Sequence, residues 1–156
     1  MPNGVVVEEL SDGRVQVGFR RAGQDFDEVS GDPVAFVSPF GAAEREELRW
    51  YLEDYLIAPY AVYEQRGQAV SAKLPEWGRA LFEGVFGAGK PGRDAYLQSR
   101  EAACELVLRS HSPAFLSPPW ELLRDPQRTT PLALELSAID RTLIAAGAAA
   151  PVPPPQ

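Results

Sequence analysis

The apolar residues of this 156-residue chain change their spacing near residue 42, and this change limits the folds open to it. In residues 14–19 they follow a period of two, with Val15, Val17 and Phe19 on one face, as in a half-buried strand. In residues 44–57 they recur every three or four positions, as on one face of a helix. Strand and helix patterns are therefore segregated along the chain, which predicts an α+β fold. The length is sufficient to bury a core without disulfides or metal ions.

Strands are predicted near both ends of the chain. Residues 5–10 and 14–19 flank Ser11-Asp12-Gly13, which predicts an amino-terminal β-hairpin. Alternating apolar residues predict a strand over residues 104–110. Three alternating leucines predict a further strand over residues 132–136.

The middle of the chain is predicted to be helical. Pro59 should end the first helix, and Pro75 should divide the second helix from the third. A proline removes a helical hydrogen bond and is accommodated best in the first turn. The predicted helices cover residues 62–74, 75–86 and 93–101, preceded by a first helix that starts at Ser38 or Ala42 and ends at Ile57, with a further short helix around Trp120.

The charge and composition exclude several classes of protein. The chain has 15 basic and 22 acidic residues and a net charge of −7, which argues against nucleic acid as a partner. One cysteine and one histidine exclude a disulfide and thiolate-rich or histidine-rich metal sites, so we expect no metal or cofactor. No apolar run approaches the roughly 20 residues that span a membrane, and residues 2–20 contain no secretory signal. A cytoplasmic location is expected.

Two possible catalytic or nucleotide sites fail on their chemistry. Gly84-x4-Gly89-Lys90 resembles a phosphate-binding loop, but Pro91 replaces the hydroxyl residue that binds magnesium, and the preceding residues are predicted to be helical. Cys104 and His111 would lie roughly 20 Å apart along an extended strand. Cys104 also falls on the apolar face of that strand, so we predict a buried thiol and no catalytic residue in this chain.

Trp50 and Ile57 are the candidate partner-facing residues. Both lie away from the apolar stripe of the first helix on a helical projection. Large aromatic residues anchor interfaces and are seldom left fully in water, so Trp50 is either buried within the chain or in contact with a partner. The stripe itself consists of Leu48, Tyr51, Leu52, Tyr55 and Leu56.

Several short motifs follow one another in a characteristic order. The first group is Leu48-Arg49-Trp50-Tyr51-Leu52-Glu53, Leu74-Pro75-Glu76-Trp77-Gly78 and Leu81-Phe82. The second group is Pro119-Trp120-Glu121-Leu122-Leu123-Arg124-Asp125-Pro126, Leu132-Ala133-Leu134 and Ile139-Asp140-Arg141-Thr142-Leu143. Together, residues 44–143 resemble the region just upstream of the peptidase core in bacterial CHAT-domain proteins, which are caspase-like cysteine endopeptidases.

The resemblance implies a role without catalysis. In the family, later strands deliver a histidine in a glycine-flanked turn and a nucleophilic cysteine, and neither His111 nor Cys104 lies in such a context. The chain therefore resembles the noncatalytic amino-terminal accessory region, which serves in packing, regulation or docking. Its expected partner is the missing carboxy-terminal peptidase domain. Residues 1–143 would form one α+β domain, and residues 144–156 an Ala/Pro-rich linker tail.

The alternative is a free-standing adaptor that assembles with a separate protein, such as a peptidase or a nucleotide-driven machine. The expected outward position of Trp50 and Ile57 and the acidic surface favour this hypothesis.

Overall fold

The amino-terminal hairpin has the predicted form in a computed structural model of the protein, which describes residues 2–128 and 132–144. Strands β1 (Asn3–Glu9) and β2 (Arg14–Arg20) pair in antiparallel fashion. Gly13 takes a φ of 85° in the turn, a conformation that glycine adopts without steric cost. The backbone amide of Arg14 donates to the Asp12 carboxylate at 3.0 Å and closes the turn.

Six strands form one mixed sheet around this hairpin. The short strands β3 (Glu28–Val29) and β4 (Val34–Ala35) both pair with β2. On the other side of the hairpin, β5 (Cys104–Ser110) runs parallel to β1, and β6 (Ala138–Leu143) runs parallel to β5. The order across the sheet is β3-β2-β1-β5-β6. The sequence predicted β5 with the same bounds.

The helices lie between β4 and β6 in sequence. The α-helices are α1 (Ala42–Arg49), α2 (Glu64–Phe86), α3 (Arg93–Ser99) and α4 (Pro113–Leu116). A π-helical segment (Trp50–Tyr55) continues α1, and 3₁₀ turns occupy Ala61–Tyr63, Trp120–Leu122 and Leu132–Leu134. This is the predicted α+β architecture, with a hairpin first, helices in the middle and strands toward the carboxyl end.

The predicted division between the second and third helices is wrong. Helix α2 is 23 residues long in total and continues without a break through Pro75. The missing amide of Pro75 removes one hydrogen bond of the helix. Val70, Trp77 and Leu81 on either side are buried in the same core, and this shared apolar surface keeps the helix continuous across the proline.

The strand predicted over residues 132–136 is also wrong. Leu132–Leu134 forms a 3₁₀ turn in which Leu132 is buried while Leu134 is exposed, so the alternating leucines do not share a face. The strand lies further along, at Ala138–Leu143, where most residues are exposed. An exposed strand carries no alternation of apolar and polar residues, which is why the pattern missed it.

The main core lies between one face of the sheet and the helices. Apolar residues of β1, β2 and β5 share this face, and they pack with residues of α2, α3 and α4. The opposite face carries the buried Val6 and Val107. Beside them Arg20 and Glu105 form an ion pair at 2.6 Å.

Two further predictions concern the outer parts of the chain. No helix within residues 2–128 and 132–144 is long and apolar enough to cross a membrane. The predicted linker tail, residues 144–156, lies outside the described residues except for Ile144.

Candidate functional site

Cys104 and His111 occupy opposite ends of β5 and form no catalytic pair. Cys104 begins the strand and is 2% exposed, which confirms the predicted buried thiol. Burial raises the pKa of this thiol, so the nucleophilic thiolate is disfavoured. His111 follows the end of the strand and is exposed. The strand between them spans roughly 20 Å at the usual rise per residue, so proton transfer between the two side chains is excluded.

The glycine-rich stretch after α2 also lacks the architecture of a phosphate site. Gly84 lies inside the helix, whereas a phosphate-binding loop connects a strand to a following helix. Among the residues that the structure describes, no three His, Cys, Asp or Glu side chains group closely enough to hold a metal ion.

The two motif groups meet where α2 packs against the Trp120–Leu122 turn. A Cβ atom added to Gly78 would lie 1.9 Å from the carbonyl oxygen of Leu122, so this contact requires glycine. The Gly78 carbonyl accepts a hydrogen bond from the Arg124 amide at 3.2 Å. Trp77 is buried in the core beside this contact. The Trp77-Gly78 motif therefore serves close packing between a helix and a turn.

Trp120, in the same turn, is part of the core. It is 0% exposed, and its indole N–H donates to the carbonyl of Phe115 at 3.0 Å. Pro119 precedes it at the start of the turn, and Leu122 packs against the core from the other end. These motif residues are structural in this chain.

Tyr96 and Asp125 hold the end of the Pro-Trp-Glu-Leu-Leu segment. The Tyr96 hydroxyl donates to the Asp125 carboxylate at 2.6 Å, and both residues are buried. Burial, together with the hydrogen bond to the carboxylate, raises the pKa of Tyr96 to about 12. The phenol therefore stays protonated over the whole physiological range and acts as a fixed donor.

Arg141 ties β6 to the same segment. Its Nε donates to the Leu116 carbonyl at 3.0 Å, and its guanidinium pairs with Glu121 at 2.7 Å. Burial, the largest single influence, raises the pKa of Glu121, but the hydrogen bond from Arg141, a backbone hydrogen bond and the charge of Arg141 together outweigh it and lower that pKa. The two motif residues Glu121 and Arg141 thus position an edge strand.

The outer edge of β6 is the first candidate site. Within the described residues, β6 pairs with β5 on one side, and no strand pairs with its other side. The Ile144 amide donates to the Ser110 carbonyl at 2.8 Å, so the Leu143 amide points away from β5 by the alternation of a strand. By the same alternation the Arg141 amide also points outward. A row of outward backbone groups is a template for another strand.

A cavity at the end of the first helix is the second candidate site. It has a volume of about 430 Å³. Its aromatic lining consists of Trp50, Tyr55, Tyr60 and Tyr63, and its acidic lining consists of Glu53 and Asp54. The sequence pattern drew out Trp50 as a partner-facing candidate, Glu53 as a motif residue and Tyr55 as part of the apolar stripe, but it assigned no role to Tyr60 or Tyr63. The density of aromatic residues between positions 50 and 63 was the available signal.

The structure corrects the expectation that Trp50 points outward. Trp50 is only 8% exposed, because the Arg66 guanidinium lies 3.8 Å from its ring centroid and the Tyr55 ring stacks against it at 5.3 Å. Ile57 is 77% exposed, as expected of a partner-facing residue. The burial alternative for Trp50 is therefore correct, while part of its ring still borders the cavity.

The remaining motif residues of this helix divide between core and surface. Leu48 is buried, and Tyr51 packs partly against the core. Arg49 is exposed and bridges three carboxylates, those of Glu46, Glu53 and Asp54.

Comparisons of the chain with protein family models, with curated proteins and with solved structures found no match. The resemblance to CHAT-domain proteins therefore remains a prediction from the sequence motifs.

Proposed function

We propose that this chain is the noncatalytic accessory region of a CHAT-type, caspase-like cysteine peptidase, acting in the cytoplasm. Its role is to extend and position the sheet of the catalytic part. The observation that carries the proposal is the outer edge of β6, which is unpaired within the described residues and runs parallel to β5 and β1. A parallel strand from the catalytic part would continue the same sheet.

The sequence of β6 supports a docking edge. Natural sheets protect exposed edges with free lysines, prolines, bulges or very short strands. This strand has six residues, contains no proline, and engages its single cation, Arg141, with Glu121. Exposed charges also protect an edge, and β6 carries one at Asp140, but its length and its lack of proline favour strand addition over a permanently exposed edge.

The gene that encodes the chain provides the first test. The proposal expects a neighbouring coding segment, in the same or an adjacent reading frame, with an apolar strand, a histidine in a glycine-flanked turn and a later cysteine. Expressed together with this chain, that segment should hydrolyse peptides, and activity should depend on its own cysteine while Cys104→Ala leaves it unchanged. Hydrolysis by the present chain alone, lost on Cys104→Ala, would refute the proposal.

The β6 edge can be tested in the same assembly with a matched pair of variants. Leu143→Pro removes an outward backbone donor, whereas Leu143→Ala retains it and removes only the side chain. We expect the proline variant to lower peptidase activity of the assembly about tenfold or more, since several backbone bonds are lost with the docked strand. The alanine variant should act like the unmodified chain. Equal activity of both variants would show that β6 is not the docking edge.

A protein-interaction adaptor is the second candidate function. The observation that favours it is a run of exposed apolar side chains beside the cavity, since such patches mark interaction sites. These residues are Leu52, Leu56, Ile57, Tyr60, Val62 and Tyr63. The adaptor would bind a separate peptidase or nucleotide-driven machine through this surface. Ile57→Glu would then abolish assembly with that partner, while Leu143→Pro would leave it intact.

A further inference from the structure

The cavity beside the first helix combines two features that favour a cation. Its volume of about 430 Å³ lies within the usual range of ~300–1,000 Å³ for ligand sites. Of its four aromatic rings, those of Tyr60 and Tyr63 are exposed, and an exposed ring offers a negative π face to which cations are attracted. Two carboxylates at its rim, those of Glu53 and Asp54, supply full negative charges. This site shares no residue with the β6 edge, so the inference does not depend on the accessory-region proposal, although Ile57, Tyr60 and Tyr63 also belong to the surface named for the adaptor.

The acidic residues stand where a helix disfavours them. The helical run from α1 through Trp50–Tyr55 ends at the cavity, and Glu53 and Asp54 lie in its last turn. The carboxyl end of a helix carries partial negative charge, so anions there are destabilising and cations are stabilising. Placements that break such a local preference are found at functional sites.

Compensation within the chain is partial. Arg49 contacts Glu53 and Asp54 at 3.3 Å each, and it shares its guanidinium with Glu46 at 2.8 Å. The side chains of Glu53 and Asp54 are 66% and 54% exposed. Each carboxylate offers about four lone-pair positions, so a single long contact leaves capacity for a further donor.

The helix geometry changes at the cavity itself. The backbone switches from α-helical to π-helical at Trp50, within a continuous helical run. π-Helical turns are rare and occur frequently at functional sites. The wider turn contributes four of the cavity residues: Trp50, Glu53, Asp54 and Tyr55.

The same side chains already bind guanidinium groups of this chain. The Arg66 guanidinium stacks on Trp50, and the Arg49 guanidinium pairs with both carboxylates. A planar guanidinium can stack on an aromatic ring and donate to a carboxylate at the same time, whereas a quaternary ammonium has no hydrogen to donate. The lining therefore matches arginine better than a methylated amine.

We propose that this cavity, bounded by Trp50, Tyr55, Tyr60, Tyr63, Glu53 and Asp54, binds an arginine side chain presented by a partner polypeptide. The exposed Ile57 beside it would contact the apolar residues that flank this arginine. The guanidinium would donate to the two rim carboxylates and stack against a tyrosine ring.

The probe for this site is N-acetyl-arginine amide, titrated into the ¹⁵N-labelled chain while backbone NMR shifts are recorded. We expect saturable shifts confined to residues 50–63, at concentrations on the order of millimolar because one side chain alone binds weakly. The matched N-acetyl-citrulline amide, which has the same shape without charge, should bind at least about tenfold more weakly. Tetramethylammonium serves as the competing probe for a methylated amine.

Matched variants separate the two contributions. Glu53→Gln combined with Asp54→Asn should weaken arginine binding about tenfold, while Glu101→Gln at another exposed position should leave it unchanged. Tyr60→Ala should weaken binding and Tyr60→Phe should preserve it, because the ring and not the hydroxyl makes the contact. The spectrum outside residues 50–63 verifies that each variant remains folded.

Three outcomes would overturn the proposal. They are the absence of localised shifts with the arginine probe, equal binding of arginine and citrulline, and tighter binding of tetramethylammonium than of arginine. The last result would assign the cavity to a methylated amine.

Discussion

The two edges of the sheet differ in how they end. At one edge, β2 is covered by the short strands β3 and β4, and the Ser30 amide donates to the Val17 carbonyl at 2.8 Å. At the other edge, β6 pairs only with β5 within the described residues. Its residue Arg141 anchors it by a hydrogen bond to the Leu116 carbonyl. Two-residue strands stop the growth of a sheet, whereas a six-residue edge strand invites it. The short strands close one edge, and the six-residue strand β6 supports the proposal that a partner strand docks at the other.

The largest effect should come from the packing that supports the open edge. Gly78→Ala places a Cβ atom 1.9 Å from the Leu122 carbonyl oxygen and so displaces the segment that carries Glu121. We expect a loss of about 3 kcal/mol in the free energy of unfolding, measured by urea denaturation. In the same helix, Gly84→Ala meets a side chain, the Phe36 ring at 2.9 Å, and not backbone, so it should cost less, about 1 kcal/mol. Similar losses for both variants would argue against a rigid contact at Gly78.

The register of β6 predicts that proline substitutions at two neighbouring positions, 142 and 143, will differ in their cost to stability. The Thr142 amide should point toward β5, because the Ile144 amide does so and strands alternate. Thr142→Pro should therefore lower the free energy of unfolding by about 2 kcal/mol, since it removes a hydrogen bond between the strands. Leu143→Pro should cost less than about 1 kcal/mol, as expected for a proline whose nitrogen faces outward on an edge strand. The reverse order would show that the outward face of β6 has been misassigned.

The closed edge should respond more weakly. A Cβ atom at Gly18 would lie 3.0 Å from the carbonyl oxygen of Glu28, so Gly18→Ala pushes β3 away from β2. We expect a loss of about 1 kcal/mol and faster hydrogen exchange of the Ser30 amide. Unchanged exchange at Ser30 would mean that β3 is not held by this close approach.

The smallest effect concerns the ion pair between Glu121 and Arg141. The folded protein lowers the pKa of Glu121, so this group contributes stability above its unfolded pKa and loses it as the pH falls through the folded pKa. Glu121→Gln should therefore cost at most about 1 kcal/mol at pH 7, because the carboxylate is half exposed and screened by solvent. The difference between variant and unmodified chain should vanish in acid, below the folded pKa. A cost that persists at low pH would point to packing and not charge.

The sequence predicts the buried strands well because burial leaves a pattern. Residues 14–19 and 104–110 alternate and residues 5–7 are apolar throughout, and the strands predicted there are confirmed. β6 is largely exposed, so its residues carry no apolar alternation to detect. The predicted helix break at Pro75 was wrong for a different reason. Burial of the residues on both sides of Pro75 outweighed the local tendency of proline to end a helix.

The candidate sites were predictable only in part. The sequence pattern predicts Trp50 and Ile57 as partner-facing residues because both lie off the apolar stripe, and Ile57 is exposed as expected. The cavity itself depends on the π-helical turn and on the return of Tyr60 and Tyr63 toward Trp50, and no spacing rule gives either feature. The open edge required knowledge of the strand order, which the sequence does not contain.

Hydrogen exchange along β6, resolved by NMR in the chain without its partner, tests the open edge most directly. We predict slow exchange for the inward amides of Thr142 and Ile144, and fast exchange for the outward amides of Arg141 and Leu143. Addition of the catalytic segment should then slow the outward pair. Slow exchange at Arg141 and Leu143 before any partner is added would contradict an open outer edge of β6.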